Sequence, residues 1–185
     1  MSNGVNTAGN NNAALGDNAL YAVTGSQNTG LGSSAGSSLT TGSNNTIIGY
    51  NAQASAVGVS NEITLGNSSI ATLRCQQTTI TSLSDARDKD NIVDLPAGMN
   101  LITQLRPVAF TWNMRDGGIV GAPDTGFIAQ DLAQAQINAG VTIPGLVYDV
   151  NPDAIEASYG KLLPVIVKAL QELKAEFDAY KATHP

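Results

Sequence analysis

The chain has 185 residues, a formal net charge of −6 and a sequence pI of about 4.5. It shows no basic stripe, which argues against nucleic acid as a ligand, and its one cysteine and one histidine argue against an intrachain disulfide and a usual zinc site. The first residues lack the basic and apolar regions of a signal peptide, and no apolar run approaches the roughly 18 residues of a membrane span. We therefore expect synthesis in a cytoplasm and no membrane insertion, metal or cofactor.

Charged residues divide the chain into two parts of different character. The first 73 residues carry only Asp17 and Glu62, whereas most charges of both signs lie in the second half. A break of this kind predicts two units joined by a short segment. We place a β-repeat fibre segment at 1–73, a junction at 74–83 and a mixed α+β domain at 84–185.

The first part contains a weak repeat with a step of about 16 or 17 residues. Its units are Asn12–Gly16, Asn28–Gly32, Asn45–Gly49 and Asn61–Gly66. Each unit is typical of a short strand followed by a turn at glycine or asparagine. Because one unit cannot bury its apolar side alone, we expect the copies to stack as a solenoid or a fibre. The alternative is a disordered low-complexity tract.

The second part has three regular patterns. Pro107–Trp112 alternates as a strand does, with Phe110 and Trp112 expected in a core, and Gly126–Leu132 is typical of a strand that passes into a helix. The strongest helix runs from about 160 to 181, and its apolar residues step by three and four like a coiled-coil seam. These residues are Leu163, Ile166, Leu170, Leu173, Phe177 and Tyr180. The alternative is a helix that packs only on its own domain.

Between the two parts stands the motif Ser84-Asp85-Ala86-Arg87-Asp88-Lys89. By itself it reads as a polar, charged loop after a strand. It resembles, however, the Ser-Asp-x-Arg-x-Lys cleavage motif of the endosialidase-type intramolecular chaperones, an auto-cleaving peptidase family of phage tail spikes and fibres. The resemblance continues through Gln104–Trp112, Asp124–Gln130, Tyr159–Pro164 and Ala169–Leu173. The preceding repeats resemble the β-roll repeats of trimeric adhesin heads and phage fibres, and this resemblance implies a trimeric β-roll or triple β-helix.

The resemblance implies a homotrimer in which residues 84–185 align three upstream chains and then leave. The chain then breaks immediately before the motif serine, which here is between Leu83 and Ser84. It also implies no cofactor, a place in a virion tail fibre, and other phage tail proteins as partners. The expected setting is a bacteriophage protein that is synthesised in a bacterial host and serves host attachment.

The residue types of the motif suit such a cut. A serine hydroxyl needs a base to become a nucleophile, so we assign Ser84 as nucleophile and Lys89 as base. A lysine serves as a base only when its amine is neutral, a form that desolvation or a nearby cation such as Arg87 favours. Asp85 and Arg87 are expected to orient the loop and balance charge.

Two other interpretations of the chain stay open. In the first, the domain remains attached without cleavage and serves as a permanent trimerisation tip of a structural fibre. In the second, exposed side chains of the repeats, such as Tyr21 and Tyr50, bind a receptor on the host cell surface.

Overall fold

The computed structural model describes residues 9–77 and 79–184. Two compact units are present: Met1–Leu73 with Thr111–Pro123, and Arg74–Phe110 with Asp124–Pro185. The described residues of the predicted junction form no helix or strand, and all are exposed. The boundaries drawn from composition remain predictions.

Four short strands form a parallel sheet in the first unit: β1 Ala13–Leu15, β2 Thr29–Leu31, β3 Thr46–Ile48 and β4 Ile63–Leu65. They pair in chain order. The register aligns Leu15 with Leu31, Leu31 with Ile48, and Ile48 with Leu65. Each step of the sequence repeat therefore returns the chain to the same position on the next strand. A trimeric β-roll or triple β-helix remains a prediction.

A glycine follows each of these strands because the chain turns there with positive φ. The angles are 140° at Gly16, 128° at Gly32, 127° at Gly49 and 82° at Gly66. Neighbouring turns also approach closely, since a Cβ atom on Gly32 would lie 2.6 Å from the carbonyl oxygen of Gly49. Both the backbone angle and the space exclude a larger side chain at these positions.

Buried asparagines tie neighbouring turns of the first unit together. The Asn28 side-chain oxygen accepts hydrogen bonds from the backbone N and the Nδ2 of Asn45, both at 3.0 Å, and Asn28 Nδ2 donates to the Gly42 oxygen at 2.9 Å. Asn45 repeats the pattern by accepting from the backbone N of Glu62 at 3.0 Å. Beside this ladder lies an apolar core of Leu20, Val23, Ala35, Leu39, Ile47 and Ala52.

The second unit has helices α1 Met99–Ile102, α2 Ala129–Ala139 and α3 Leu162–Thr183, with a small sheet of β7 Val147–Tyr148 and β8 Glu156–Ala157. Its core comprises Ala97, Leu101, Leu132, Ala135, Ile143, Leu146, Leu162 and Val165. Helix α2 ends at Gly140, whose left-handed conformation is usual after a helix. Helix α3 lies close to the predicted position.

A separate two-stranded sheet consists of β5 Val108–Asn113 and β6 Val120–Gly126. The prediction that Phe110 and Trp112 both pack in a core is wrong for Trp112, which is exposed, while Phe110 is half-buried. The physical reason is that a sheet of two strands has few neighbours to cover its faces. Among the described residues, no helix is long and apolar enough to cross a membrane.

The asparagine ladder generates the first prediction. Replacement of Asn28 by Ala leaves buried donors and acceptors of two adjacent turns without a partner, at a cost of about 1–3 kcal/mol for each such group. We expect a lower thermal unfolding midpoint, measured by circular dichroism. The control is Asn10→Ala, because the Asn10 residue is exposed in the same unit. An Asn28→Ala chain that melts with the wild type would contradict a stabilising ladder.

Candidate active site

The motif folds into one tight turn. Ala86–Asp88 form a single turn of 3₁₀ helix, and Asp85 caps it by accepting a hydrogen bond from the Arg87 backbone N at 2.9 Å. The Lys89 backbone N then donates to the Ala86 oxygen at 3.2 Å. Three residues complete a turn of this helix, so Lys89 returns toward the start of the motif.

The turn brings the two predicted catalytic residues together. Lys89 Nζ donates a hydrogen bond to Ser84 Oγ at 2.6 Å and lies 3.4 Å from the Ser84 carbonyl oxygen. The first distance is within the range that direct proton transfer between a nucleophile and a base requires. The arrangement can therefore pass the serine proton to a neutral lysine amine, and the catalytic roles of both residues remain predictions.

Asp85 and Arg87 form a two-point ion pair beside the dyad. Arg87 Nε donates to Asp85 Oδ1 at 3.0 Å, and the terminal Arg87 nitrogen donates to Asp85 Oδ2 at 2.6 Å. The Arg87 side chain, helped by the Arg87 backbone N–H, lowers the pKa of Asp85, and Asp85 raises the pKa of Arg87. Since Asp85 balances the Arg87 charge, the structure does not present Arg87 as a free cation facing Lys89.

The capping role of Asp85 is a feature that the sequence interpretation missed. It assigned Asp85 to charge balance and loop orientation, whereas the carboxylate also fixes the backbone of the turn. The available signal was the residue type, because aspartate at the start of a tight turn often bonds to the backbone two residues later.

Solvent surrounds the site in the single chain. Every described residue from Thr79 to Asp94 is exposed, and Leu83, which precedes the predicted cut, is 97% exposed. The Ser82 hydroxyl donates to the Leu83 carbonyl oxygen at 3.4 Å. Leu83 and the motif turn are therefore both open to water in the single chain.

A cavity of about 460 Å³ lies elsewhere in the second unit, next to the end of α2, and no residue of the motif lines it. Its lining includes Gln136, Ile137, Val141, Pro144 and Asp149. In the part of the chain that the structure describes, no group of three or more His, Cys, Asp or Glu residues could hold a metal ion. The motif turn is therefore the site that we consider further.

Residues 84–141 match the family model of the chaperone of endosialidase, peptidase S74. The match begins at Ser84 and includes the motif turn, β5, β6 and α2. It supports the chaperone family for this segment, and the name of the family is that of a peptidase. No curated protein and no solved structure matches the chain. The four repeat strands and α3 lie outside the match, so their resemblance to this class of protein remains an expectation.

The ion pair generates a prediction about pH. The lowered pKa of Asp85 means that its ionised form is favoured in the folded turn. The pair is therefore fully present above the ordinary aspartate value of about 3.9 and is lost as the pH falls through the lower folded value. NMR titration of the Asp85 carboxyl carbon measures this value, and Arg87→Ala should raise it. An Asp85 pKa at or above the ordinary value in the intact chain would contradict the pair.

Proposed function

We propose that this chain is the C-terminal part of a trimeric phage tail fibre or spike. Residues from about 84 onward act as an intramolecular chaperone that aligns three chains and then separates by cleavage between Leu83 and Ser84. The observation that carries the proposal is the 2.6 Å contact between Lys89 Nζ and Ser84 Oγ. It stands at the first residue of the segment that matches the chaperone family.

The cleavage proceeds in two steps. Lys89, in its neutral form, accepts the proton of the Ser84 hydroxyl while Ser84 Oγ attacks the carbonyl carbon of Leu83. The bond between the Leu83 carbon and the Ser84 nitrogen breaks, and the proton passes from Lys89 to that nitrogen, so an ester joins Leu83 to Ser84 Oγ. Water then hydrolyses the ester and leaves a Leu83 carboxylate and the original Ser84 hydroxyl.

Assembly provides the timing of this reaction. A dyad exposed to water is poorly suited to hold a neutral amine, because desolvation is what disfavours the charged form of a lysine. Packing of two further copies around residues 79–94 removes that water without a change in covalent structure. Cleavage therefore follows the association of three chains.

Helix α3 supports the trimer because it has two apolar faces. One face packs on its own unit through Leu162, Val165 and Ala169. The other, here called the exposed seam, consists of Leu163, Ile166, Leu170, Leu173, Phe177 and Tyr180. These side chains are 43% to 65% exposed, although residues at such spacing normally bury against another helix.

The helix also extends beyond the unit on which it packs. Glu172, near the middle of α3, accepts a hydrogen bond from the Met99 backbone N at 2.8 Å. After Glu172 every residue to His184 is exposed. Leu173, Phe177 and Tyr180 are therefore exposed in the single chain, and in this proposal equivalent helices of two further copies cover them.

The repeats explain why such a chaperone is useful. Their strands have only three residues each and are almost free of charge, so little prevents one repeat of a chain from pairing with the wrong repeat of another. Contacts between chains also form slowly because they are not local. Helices that associate first raise the effective concentration of correctly aligned strands.

The second candidate function is a permanent trimerisation tip that never cuts. The exposure of Leu83 and of the whole motif in the single chain favours this candidate. It keeps the same trimer and the same role of α3, and it differs only in the chemistry at Ser84.

Intact mass under denaturing conditions separates these two candidates. The wild-type chain should give two fragments divided between Leu83 and Ser84, while Ser84→Ala and Lys89→Ala should each give one uncut chain. Ser82→Ala is the matched control, because the Ser82 hydroxyl also contacts the Leu83 carbonyl but has no role in the mechanism. Normal cutting by Lys89→Ala would remove Lys89 from the mechanism, and an uncut wild type would favour the permanent tip.

The exposed seam generates a prediction about assembly. In the uncut Ser84→Ala chain, Leu173→Asp should convert the trimer to a monomer, because it places a charge where three helices meet. Ala175→Asp is the control on the same helix, since Ala175 lies off the seam and is exposed. Light scattering after size-exclusion chromatography gives the mass. Equal masses for the two variants would argue against the seam.

A further inference from the structure

The dyad holds an amine next to the atom that would carry the acyl group during cleavage. Lys89 Nζ lies 2.6 Å from Ser84 Oγ, and in the proposed ester that oxygen is bonded to the Leu83 carbonyl carbon. While the contact is kept, the amine is at most one bond length beyond 2.6 Å from this carbon. Reacting atoms in productive arrangements lie about 3–3.5 Å apart. Lys89 is therefore within reach of the ester as a nucleophile, in addition to its role as the base.

The first step of the proposed cleavage also leaves Lys89 in the form that a nucleophile needs. Lys89 accepts the Ser84 hydroxyl proton and passes it to the departing Ser84 nitrogen, so its amine is neutral again when the ester has formed. In the ester, Ser84 Oγ no longer carries a proton with which the amine could interact. A neutral lysine amine attacks carbonyl carbons in many enzymes.

Three nucleophiles compete for this ester. Attack by the new Ser84 amine only restores the original peptide bond, and attack by water gives the two fragments. Attack by Lys89 gives a different product, in which the amine carries the Leu83 acyl group. Well-oriented groups within one molecule react as if present at about 10⁵–10⁸ M, a concentration that no solvent reaches. The position of Lys89 therefore allows it to compete with water.

Assembly favours the lysine over water in this competition. Ser84 and Lys89 are exposed in the single chain, and in the proposed trimer the removal of water is what keeps the lysine amine neutral. The same removal takes away the second reactant of hydrolysis, because a closed site protects reactive intermediates from water. Lys89 ends the same motif turn that Ser84 precedes, so the amine stays beside the ester when water leaves.

We propose that the dyad also acts as an acyl transferase on its own chain and joins Leu83 to Lys89 through an isopeptide bond. The inference rests on the proposed function for the ester, and it adds a second product and the acceptor that forms it. Lys89 Nζ forms a bond to the Leu83 carbonyl carbon, the bond from that carbon to Ser84 Oγ breaks, and one proton passes from Nζ to Oγ. The net change replaces the peptide bond between Leu83 and Ser84 by the isopeptide bond, with no gain or loss of atoms.

The product is a branched chain of unchanged mass. Residues 1–83 remain attached through the Lys89 side chain, and Ser84 becomes a free amino terminus. The chaperone segment thus stays joined to the repeats although the original peptide bond is gone. Intact mass does not distinguish this chain from an unreacted one, so the test has to locate the bonds.

Peptide mapping of the refolded, assembled wild-type chain detects the branch. Trypsin cuts after an arginine that proline does not follow and after a lysine with a free amine, so the unreacted chain gives the linear peptide Cys75–Arg87. The branched chain gives Ser84–Arg87 as a separate peptide. It also gives Cys75–Leu83 joined to Asp88–Arg115 through Lys89. Tandem mass spectrometry of the joined peptides locates the link.

We expect the joined peptides in the wild type and their complete loss in two variants, because Ser84→Ala removes the ester and Lys89→Arg removes the acceptor. Ser82→Ala is the matched control and should keep the branch, since the Ser82 hydroxyl takes no part in the transfer. Wild-type fragments that end in a Leu83 carboxylate, without any joined peptides, would overturn the transfer and leave the proposed cleavage standing. An assembled wild type that gives only the linear peptide Cys75–Arg87 would overturn both.

Discussion

A hydrogen bond of 2.6 Å between Lys89 Nζ and Ser84 Oγ is the contact on which the proposed cleavage depends. The motif itself positions the two side chains, because the Asp85 carboxylate caps a single 3₁₀ turn and Arg87 pairs with that carboxylate at two points. The contact therefore needs residues of one chain only. What the single chain lacks is an environment that excludes water, because every described residue around the turn is exposed.

Two other features of the chain are also left uncovered by the rest of the molecule. Helix α3 buries one face against its own unit and leaves the exposed seam uncovered, and the four-stranded sheet of the first unit leaves Leu15, Leu31, Ile48 and Leu65 exposed. We propose that neighbouring copies of this chain cover the dyad and the seam. In this account the trimer supplies the helix contacts, aligns the repeats, and removes water from Lys89.

Local patterns in the sequence predicted the elements well. Glycine and asparagine at the repeat step mark the ends of the four short strands, and the three-four spacing of apolar residues marks α3, because both patterns report directly on backbone geometry. The pairing of Ser84 with Lys89 was expected from the family resemblance of the motif, because the residues by themselves indicate only a polar, charged loop. The family resemblance, stated from the motif, is supported by the match over residues 84–141.

Features that depend on distant contacts were not predictable in this way. The exposure of Trp112 follows from a sheet of only two strands, and the grouping of Thr111–Pro123 with the repeats follows from contacts between residues far apart in the chain. The face of α3 that packs on its own unit was not distinguishable from the exposed seam, because the residues of both faces are apolar. Alternation and periodicity in the sequence describe a single helix or strand. Burial and grouping into units depend instead on which other elements lie next to that helix or strand.

Native mass spectrometry during refolding tests whether assembly triggers the cut. Wild-type chains are refolded at several concentrations, and the uncut monomer, uncut trimer and cut trimer are followed with time. If assembly triggers the cut, uncut trimers precede cut trimers, and dilution slows cleavage together with assembly. Cut chains that accumulate as monomers, at a rate independent of concentration, would contradict it.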